Sequence, residues 1–174
     1  MCVAAVVAVV AHARVEIARI KDELFSDGFP IEELPALYAV TAKTVTKGTS
    51  VMVDGGSAEA EDEEAGSEAI QVINLVASHR LQQTNFDKKA YLNYLKGYLK
   101  GIENHLSATT PDVVEEFKKS AQEAAKALVA DFDSYTFYQG ENLDAEGMVA
   151  FARPAGNDTW TFNFWKHGVQ AEKY

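Results

Sequence analysis

The chain of 174 residues has very little cysteine and histidine, the residues that build disulfides and zinc sites. Its single cysteine, Cys2, excludes an internal disulfide framework and a cysteine-rich zinc site. The four histidines are scattered, without the spacing of a zinc-binding helix. A phosphate-binding Gly-x-x-x-x-Gly-Lys loop and a Gly-x-Ser-x-Gly nucleophile elbow are also absent. We therefore expect no zinc and no catalysis, and a function that rests on binding.

Positive charge is scarce as well. The chain has 16 Lys and Arg against 26 Asp and Glu, a formal net charge of −10, which argues against nucleic acid as a partner. The longest apolar run, residues 2–11, is too short to span a membrane, which takes about 20 residues. No basic residue precedes that run, as a secretory signal would require. We expect a buried strand or a disordered extension there, with a targeting peptide as the alternative.

The remaining pattern predicts one α+β domain. Residues 37–46 are rich in β-branched side chains, residues 70–76 form a short apolar run, and residues 160–165 alternate as a strand does. Residues 15–20 and 51–53 are weaker strand candidates. A sheet with helices added to it is the fold class that these segments favour.

An acidic stretch interrupts these strands at residues 54–68. It has no large apolar side chain to bury, so we predict a flexible loop. Calcium takes six to eight oxygen ligands, and Glu61, Asp62, Glu63 and Glu64 are the candidate ligands for weak calcium binding. The loop lacks the frame of an EF-hand, so a solvated acidic loop without an ion is the alternative.

Residues 85–130 carry two helical patterns. The first follows a possible capping box, Thr84-Asn-Phe-Asp87, and has apolar side chains every three or four residues. The second begins at Pro111, a residue favoured at the first helical position. The short connection between them predicts a projecting, antiparallel helical hairpin.

Four lysines of the first helix lie mostly off its apolar stripe: Lys88, Lys89, Lys96 and Lys100. They predict a basic face on an otherwise acidic protein. Such a face often serves only solvation, but it would also attract a strongly acidic partner.

Residues 132–151 read as strand, turn and strand, with the string Phe-Tyr-Gln-Gly-Glu-Asn followed by Gly-Met-Val-Ala. This string resembles the C-terminal signature of the translationally controlled tumour protein family. Further segments resemble that family in the same order: Asp-Glu-Leu-Phe-Ser-Asp at residues 22–27, Gly-Ser-Ala-Glu at 56–59, His-Arg-Leu-Gln-Gln-Thr-Asn-Phe at 79–86, and Tyr-Leu-Lys-Gly-Tyr-Leu-Lys at 94–100. The resemblance covers residues 21–174, whereas residues 1–20 form a divergent N-terminal extension. Within the signature, Gln139 occupies a position that is usually apolar in the family.

The resemblance implies a β-tent-like fold with a mainly antiparallel sheet, and a cytoplasmic, monomeric protein that regulates cell growth and survival and counters apoptosis. It implies calcium binding, microtubule stabilisation through the hairpin lysines, and contact with a Rheb-like small GTPase. Glu23 and Glu141 match the positions that the family uses for the GTPase, although each could simply cap a turn. A chaperone that stabilises client proteins through the same groove is the alternative function.

Overall fold

The computed structural model describes residues 10–13, 22–47 and 70–172. Within these ranges the chain forms nine strands and three α-helices. The strands are β1 (Val10–Ala13), β2 (Ile31–Glu33), β3 (Leu37–Lys47), β4 (Ile70–Ile73), β5 (Gln82–Thr84), β6 (Thr136–Gln139), β7 (Ala150–Pro154), β8 (Thr159–Trp165) and β9 (Val169–Glu172). The helices are α1 (Asn74–His79), α2 (Lys88–Thr109) and α3 (Val114–Ala130).

Seven of these strands form one antiparallel sheet. Its order is β2-β3-β8-β7-β6-β5, with β4 also paired to β3. The long strand β3 pairs with β8 over Leu37 to Lys43 and with β4 over Thr44 to Lys47. Strands β1 and β9 form a separate two-stranded sheet. The predicted α+β class with a mainly antiparallel sheet is confirmed.

The core lies where β8 crosses the middle of the sheet. Phe162, Phe164 and Trp165 are fully buried, and the ring of Phe25, which precedes β2 in the chain, is tilted against that of Phe164 with 4.5 Å between ring centroids. The alternation of β8 predicts one buried and one open face, but all of residues 162–165 are buried. The buried Asn163 has a hydrogen-bond partner, because its side-chain amide donates to the main-chain oxygen of Phe151.

The predicted helical hairpin is confirmed, and its apolar face packs against the sheet. Tyr91 lies 4.5 Å from Phe137 of β6 between ring centroids, and Phe117 of α3 lies 5.1 Å from His167. The two helices are joined at their surface by an ion pair between Lys118 and Glu103 at 2.8 Å. One side of the hairpin is thus fixed, and the other faces solvent.

The start of α2 differs from the predicted capping box. Thr84 is the last residue of β5 and not the N-cap. Asp87 caps the helix, because its carboxylate accepts the main-chain N–H of Ala90 at 2.8 Å. Thr84 belongs to β5 because it pairs with Phe137 of β6. Asp87, three positions later, is an equally good capping residue.

The predicted strand at residues 70–76 is wrong in its second half. The strand ends at Ile73 and α1 begins at Asn74. The side chain of Asn74 accepts the main-chain N–H groups of Lys43 at 2.9 Å and of Leu75 at 2.8 Å. One amide oxygen therefore bonds both to β3 and to the first turn of α1, directly after the last residue pair of β3 and β4. Strand β9 follows Gly168 and has no counterpart among the predicted strands, of which residues 160–165 are the last.

Several predictions lie outside the described residues: the strands at 15–20 and 51–53, the acidic loop at 54–68, and most of the apolar run at 2–11. They stay predictions. In the part of the chain that the structure describes, none of the helices combines the length and the apolar character that crossing a membrane requires.

Candidate functional site

We use the name signature loop for residues 140–149 and the name N-terminal segment for residues 22–29. The N-terminal segment is fastened to the signature loop. The carboxylate of Asp22 accepts hydrogen bonds from the side-chain amide of Asn142 and from its main-chain N–H, the latter at 3.3 Å. Gly140 is buried directly beneath Asp22, and a Cβ atom added there would lie 2.2 Å from Oδ2 of Asp22 and 2.6 Å from its Cβ. Glycine is therefore required by this close approach.

This contact brings Glu23 to the end of α1. Its carboxylate lies 3.4 Å from Nε2 of His79, and its side chain is 52% exposed. His79 itself is buried, with Nδ1 3.3 Å from the main-chain oxygen of Leu75 and its ring tilted against Phe29 at 5.7 Å. The imidazole is therefore held in place and offers one nitrogen to Glu23.

Arg80, the next residue, holds Glu141. Its guanidinium donates to the Glu141 carboxylate at 2.9 Å, and both side chains are more than half exposed, at 73% and 53%. Arg80 ends α1 in the left-handed conformation, with φ 51° and ψ 37°. Since consecutive Cα atoms are only about 3.8 Å apart, the contacts of His79 and Arg80 bring Glu23 and Glu141 into one surface region.

We name this region the Glu23–Glu141 patch: Glu23, His79, Arg80, Glu141 and Leu143. The last of these is a large apolar side chain that is 53% exposed. The sequence identifies the two carboxylates and places Leu143 as an apolar neighbour of Glu141, but it does not identify His79 and Arg80 as their partners. A left-handed arginine and an exposed leucine have no sequence signal of their own, because both depend on tertiary contacts.

The signature loop is shaped by hydrogen bonds within it and beneath it. The main-chain N–H of Leu143 donates to Gly140 at 3.1 Å, which closes a turn around Glu141. Gln139 is buried, and its side-chain amide donates to the main-chain oxygen of Asp144 at 2.8 Å. The Asp144 carboxylate in turn accepts the N–H of Glu146 at 2.9 Å. Gln139, which departs from the apolar pattern of the family, thus supports the loop.

Helix α2 fixes the far end of the same loop through Tyr94. Its hydroxyl donates to the main-chain oxygen of Gly147 at 2.6 Å and accepts the N–H of Val149 at 2.9 Å. Burial raises the pKa of Tyr94 well above its ordinary value. The group therefore stays a neutral hydroxyl that can donate and accept at once.

The four lysines of α2 are all exposed. With about 100° of rotation per residue, Lys89, Lys96 and Lys100 fall within about 40° of one another on the helix. Lys88 lies about 80–120° away from them. The structure therefore brings three of the four predicted lysines into one stripe and leaves Lys88 to the side. A surface groove of about 670 Å³ between α2 and α3 is lined by Lys96 and Lys100, together with Lys119 of α3.

His167 connects the hairpin to the end of β8. Burial lowers its pKa, and the positive charge of Lys166 acts in the same direction, whereas Glu116 and Glu33 oppose the shift. Its ring meets Phe117 edge-on. The neutral imidazole is therefore the form that this interface accepts.

The predicted calcium ligands Glu61, Asp62, Glu63 and Glu64 lie outside the described residues. Among the described residues, no group of three or more His, Cys, Asp or Glu side chains is placed to hold a metal ion.

Fold and site together define an α+β protein in which an antiparallel sheet carries a helical hairpin and an exposed charged patch. Comparison with known sequences gives the family. The sequence model of the translationally controlled tumour protein matches residues 18–170, so the chain belongs to the translationally controlled tumour protein family.

Individual relatives agree with this assignment. The chain is similar to the translationally-controlled tumor protein homolog of Yarrowia lipolytica, with 42% identity over 156 residues that cover 87% of this chain and 93% of the relative. It is 39% identical over 163 residues to homolog 1 of Dictyostelium discoideum, covering 88% and 93% of the two chains. Among solved structures, the translationally controlled tumor-associated protein of Schizosaccharomyces pombe has a TM-score of 0.78 and 34% identity, with 95% and 99% of the two chains covered.

Proposed function

We propose that this chain is a cytoplasmic, monomeric regulator of cell growth and survival that binds a Rheb-like small GTPase through the Glu23–Glu141 patch. The observation that carries the proposal is the pairing of Glu23 with His79 and of Glu141 with Arg80, two consecutive residues. Two half-exposed carboxylates in one surface region offer acceptors to basic groups of a partner. Binding would promote nucleotide exchange by favouring the nucleotide-free GTPase, without any bond-making by this chain.

The test is charge reversal at each carboxylate. Glu23→Lys and Glu141→Lys should each weaken GTPase binding in titration calorimetry, while the free energy of unfolding stays within about 1 kcal/mol because both carboxylates are about half exposed. Glu115→Lys is the matched control, since Glu115 is 92% exposed on the hairpin. Equal affinities for the parent and both patch variants would refute this use of the patch.

The alternative is a chaperone-like stabiliser that uses the same surface. The two functions differ in what they accelerate. A GTPase regulator speeds the release of labelled nucleotide from the GTPase, whereas a chaperone only slows client aggregation. If the parent does not speed nucleotide release, and the patch variants no longer slow client aggregation, the chaperone function replaces our proposal.

A second binding function, stabilisation of microtubules, is favoured by the lysine stripe on α2. Tubulin is strongly acidic at its surface, and a stripe of three exposed lysines would attract it. We expect the combined variant Lys89→Gln, Lys96→Gln and Lys100→Gln to lose co-sedimentation with microtubules. Lys88→Gln alone should retain it, because Lys88 lies off the stripe. Unchanged co-sedimentation of the triple variant would contradict the proposal.

Calcium binding by the acidic loop also remains a proposal. The cluster of carboxylates at residues 61–64 suits weak binding of a hard cation. Calcium at millimolar concentration should shift the amide resonances of these residues in the parent, and not in a variant with Gln at 61, 63 and 64 and Asn at 62. Identical spectra of the parent with and without calcium would exclude the site.

A further inference from the structure

Two residues of the described chain have a left-handed backbone without being glycine. They are Arg80 and Leu143, each with φ 51°. Leucine is a poor residue for this conformation, which glycine and asparagine adopt at lower cost. Both residues belong to the Glu23–Glu141 patch, and both are connected to Glu141: Arg80 contacts its carboxylate, and Leu143 ends its turn.

Leu143 is also unusual in its exposure. Among the described residues, the large apolar side chains that are exposed are Val45, Ile70 and Leu143. Val45 and Ile70 lie in β3 and β4, where an extended backbone favours β-branched side chains regardless of burial. Leu143 lies outside the strands and outside the core, so neither backbone conformation nor burial explains a large apolar side chain there.

The loop nevertheless holds the main chain of Leu143 in a defined place. The turn from Gly140 to Leu143 is closed by a main-chain hydrogen bond, and the next residue, Asp144, is held by Gln139 from below. An apolar side chain on an already ordered main chain adds little loop-ordering entropy to the cost of binding when a partner covers it. Apolar centres with polar rims are typical of protein interfaces.

We propose that Leu143 is the apolar anchor of the Glu23–Glu141 patch. It inserts into an apolar pocket of the GTPase, and basic groups beside that pocket pair with Glu23 and Glu141. This inference rests on the proposed function. It adds the feature of the partner that sets specificity: a basic surface without an apolar depression would not fit.

The decisive variant is Leu143→Gly, which removes the side chain and suits the left-handed backbone. We expect its melting temperature to stay close to that of the parent, because the relief of left-handed strain offsets the larger entropy that glycine gives the unfolded chain. Its affinity for the nucleotide-free GTPase, measured by titration calorimetry, should fall about tenfold, the loss expected when half a leucine side chain is no longer covered. Leu143→Met should keep the affinity, since it retains the apolar volume.

Val45→Thr is the matched control, because it removes apolar character from an exposed residue of another surface. It should leave the affinity unchanged. If the parent and Leu143→Gly bind the GTPase with equal affinity, the anchor is refuted. Loss of binding in the charge-reversal variants would then still support the proposed function. A parent that does not bind the GTPase overturns both. If Leu143→Gly is less stable than the parent by clearly more than the roughly 1 kcal/mol that glycine itself costs, the leucine serves the fold, and the anchor is likewise refuted.

Discussion

Replacing Gly140 by alanine tests how the N-terminal segment is fastened to the signature loop. The added Cβ would lie 2.2 Å from Oδ2, 2.6 Å from Cβ and 2.7 Å from Cγ of Asp22. A rotation of the Asp22 side chain cannot relieve the contact with its own Cβ, so the main chain at residue 22 must move. The two hydrogen bonds from Asn142 to Asp22 are then lost.

The magnitude follows from those two bonds. A hydrogen bond to a charged group contributes about 1.5–3 kcal/mol when buried, and this pair is partly exposed, so we expect a loss of about 2–3 kcal/mol in total. For a chain of this size the melting temperature should fall by roughly 4–12 °C. The backbone of Gly140 is outside the left-handed region, so alanine adds no strain in φ.

A double-mutant cycle checks the cause. In an Asp22→Gly background the three nearest atoms are gone, and Gly140→Ala should cost less than about 0.5 kcal/mol by chemical denaturation. If the substitution costs the same in both backgrounds, the contact with Asp22 is not what requires glycine, and the reasoning fails. Weaker GTPase binding by Gly140→Ala would also be expected, because Glu23 directly follows Asp22.

Three further predictions concern the hairpin. Tyr94→Phe should lower the free energy of unfolding by about 1–3 kcal/mol, because it leaves two main-chain groups of the signature loop unpaired. Tyr98→Phe, the matched control, should be nearly neutral, since the buried Tyr98 hydroxyl has no hydrogen-bond partner among the described residues; equal losses would contradict the role of Tyr94. Burial lowers the pKa of His167, so the unfolded chain binds its proton first, and stability should fall as the pH drops below the ordinary histidine value of about 6.5. Denaturant melts of the parent and His167→Gln at pH 7.5 and 5.0 should show a smaller pH dependence in the variant, and parallel curves would refute this. Asp87→Ala should cost about 1 kcal/mol as the loss of an N-cap, whereas Thr84→Ala should not change helix stability.

The regular elements were accessible from the sequence because their patterns are local. The helical hairpin follows from the spacing of apolar side chains and from Pro111, and β3 and β8 follow from their β-branched and aromatic residues. The misplaced cap at Thr84 and the overlong strand at residues 70–76 share one cause. At both places the local sequence is compatible with a strand and with the start of a helix. Where the strand ends is set by its pairing with a strand that is distant in the sequence.

The site was accessible only in part. Glu23 and Glu141 are found through family resemblance, and no local pattern brings them together. Their neighbours His79 and Arg80 act through a helix end whose position depends on α1, an element that the sequence does not predict. The exposure of Leu143 follows from the same tertiary arrangement and therefore could not be predicted either.

The stiffness of the signature loop links these observations. Side chains from three separate parts of the chain hold it: Asp22 at its start, Gln139 beneath Asp144, and Tyr94 at its end. Bending the loop would break several of these contacts together, so a partner meets a surface that is already ordered, and little entropy is lost on binding. Tyr94 also belongs to α2, so its two hydrogen bonds connect the hairpin directly to residues 147 and 149 of the loop. The helix that carries the lysine stripe therefore also contacts the loop that carries Glu141 and Leu143. Binding at one surface can be tested for its effect on binding at the other.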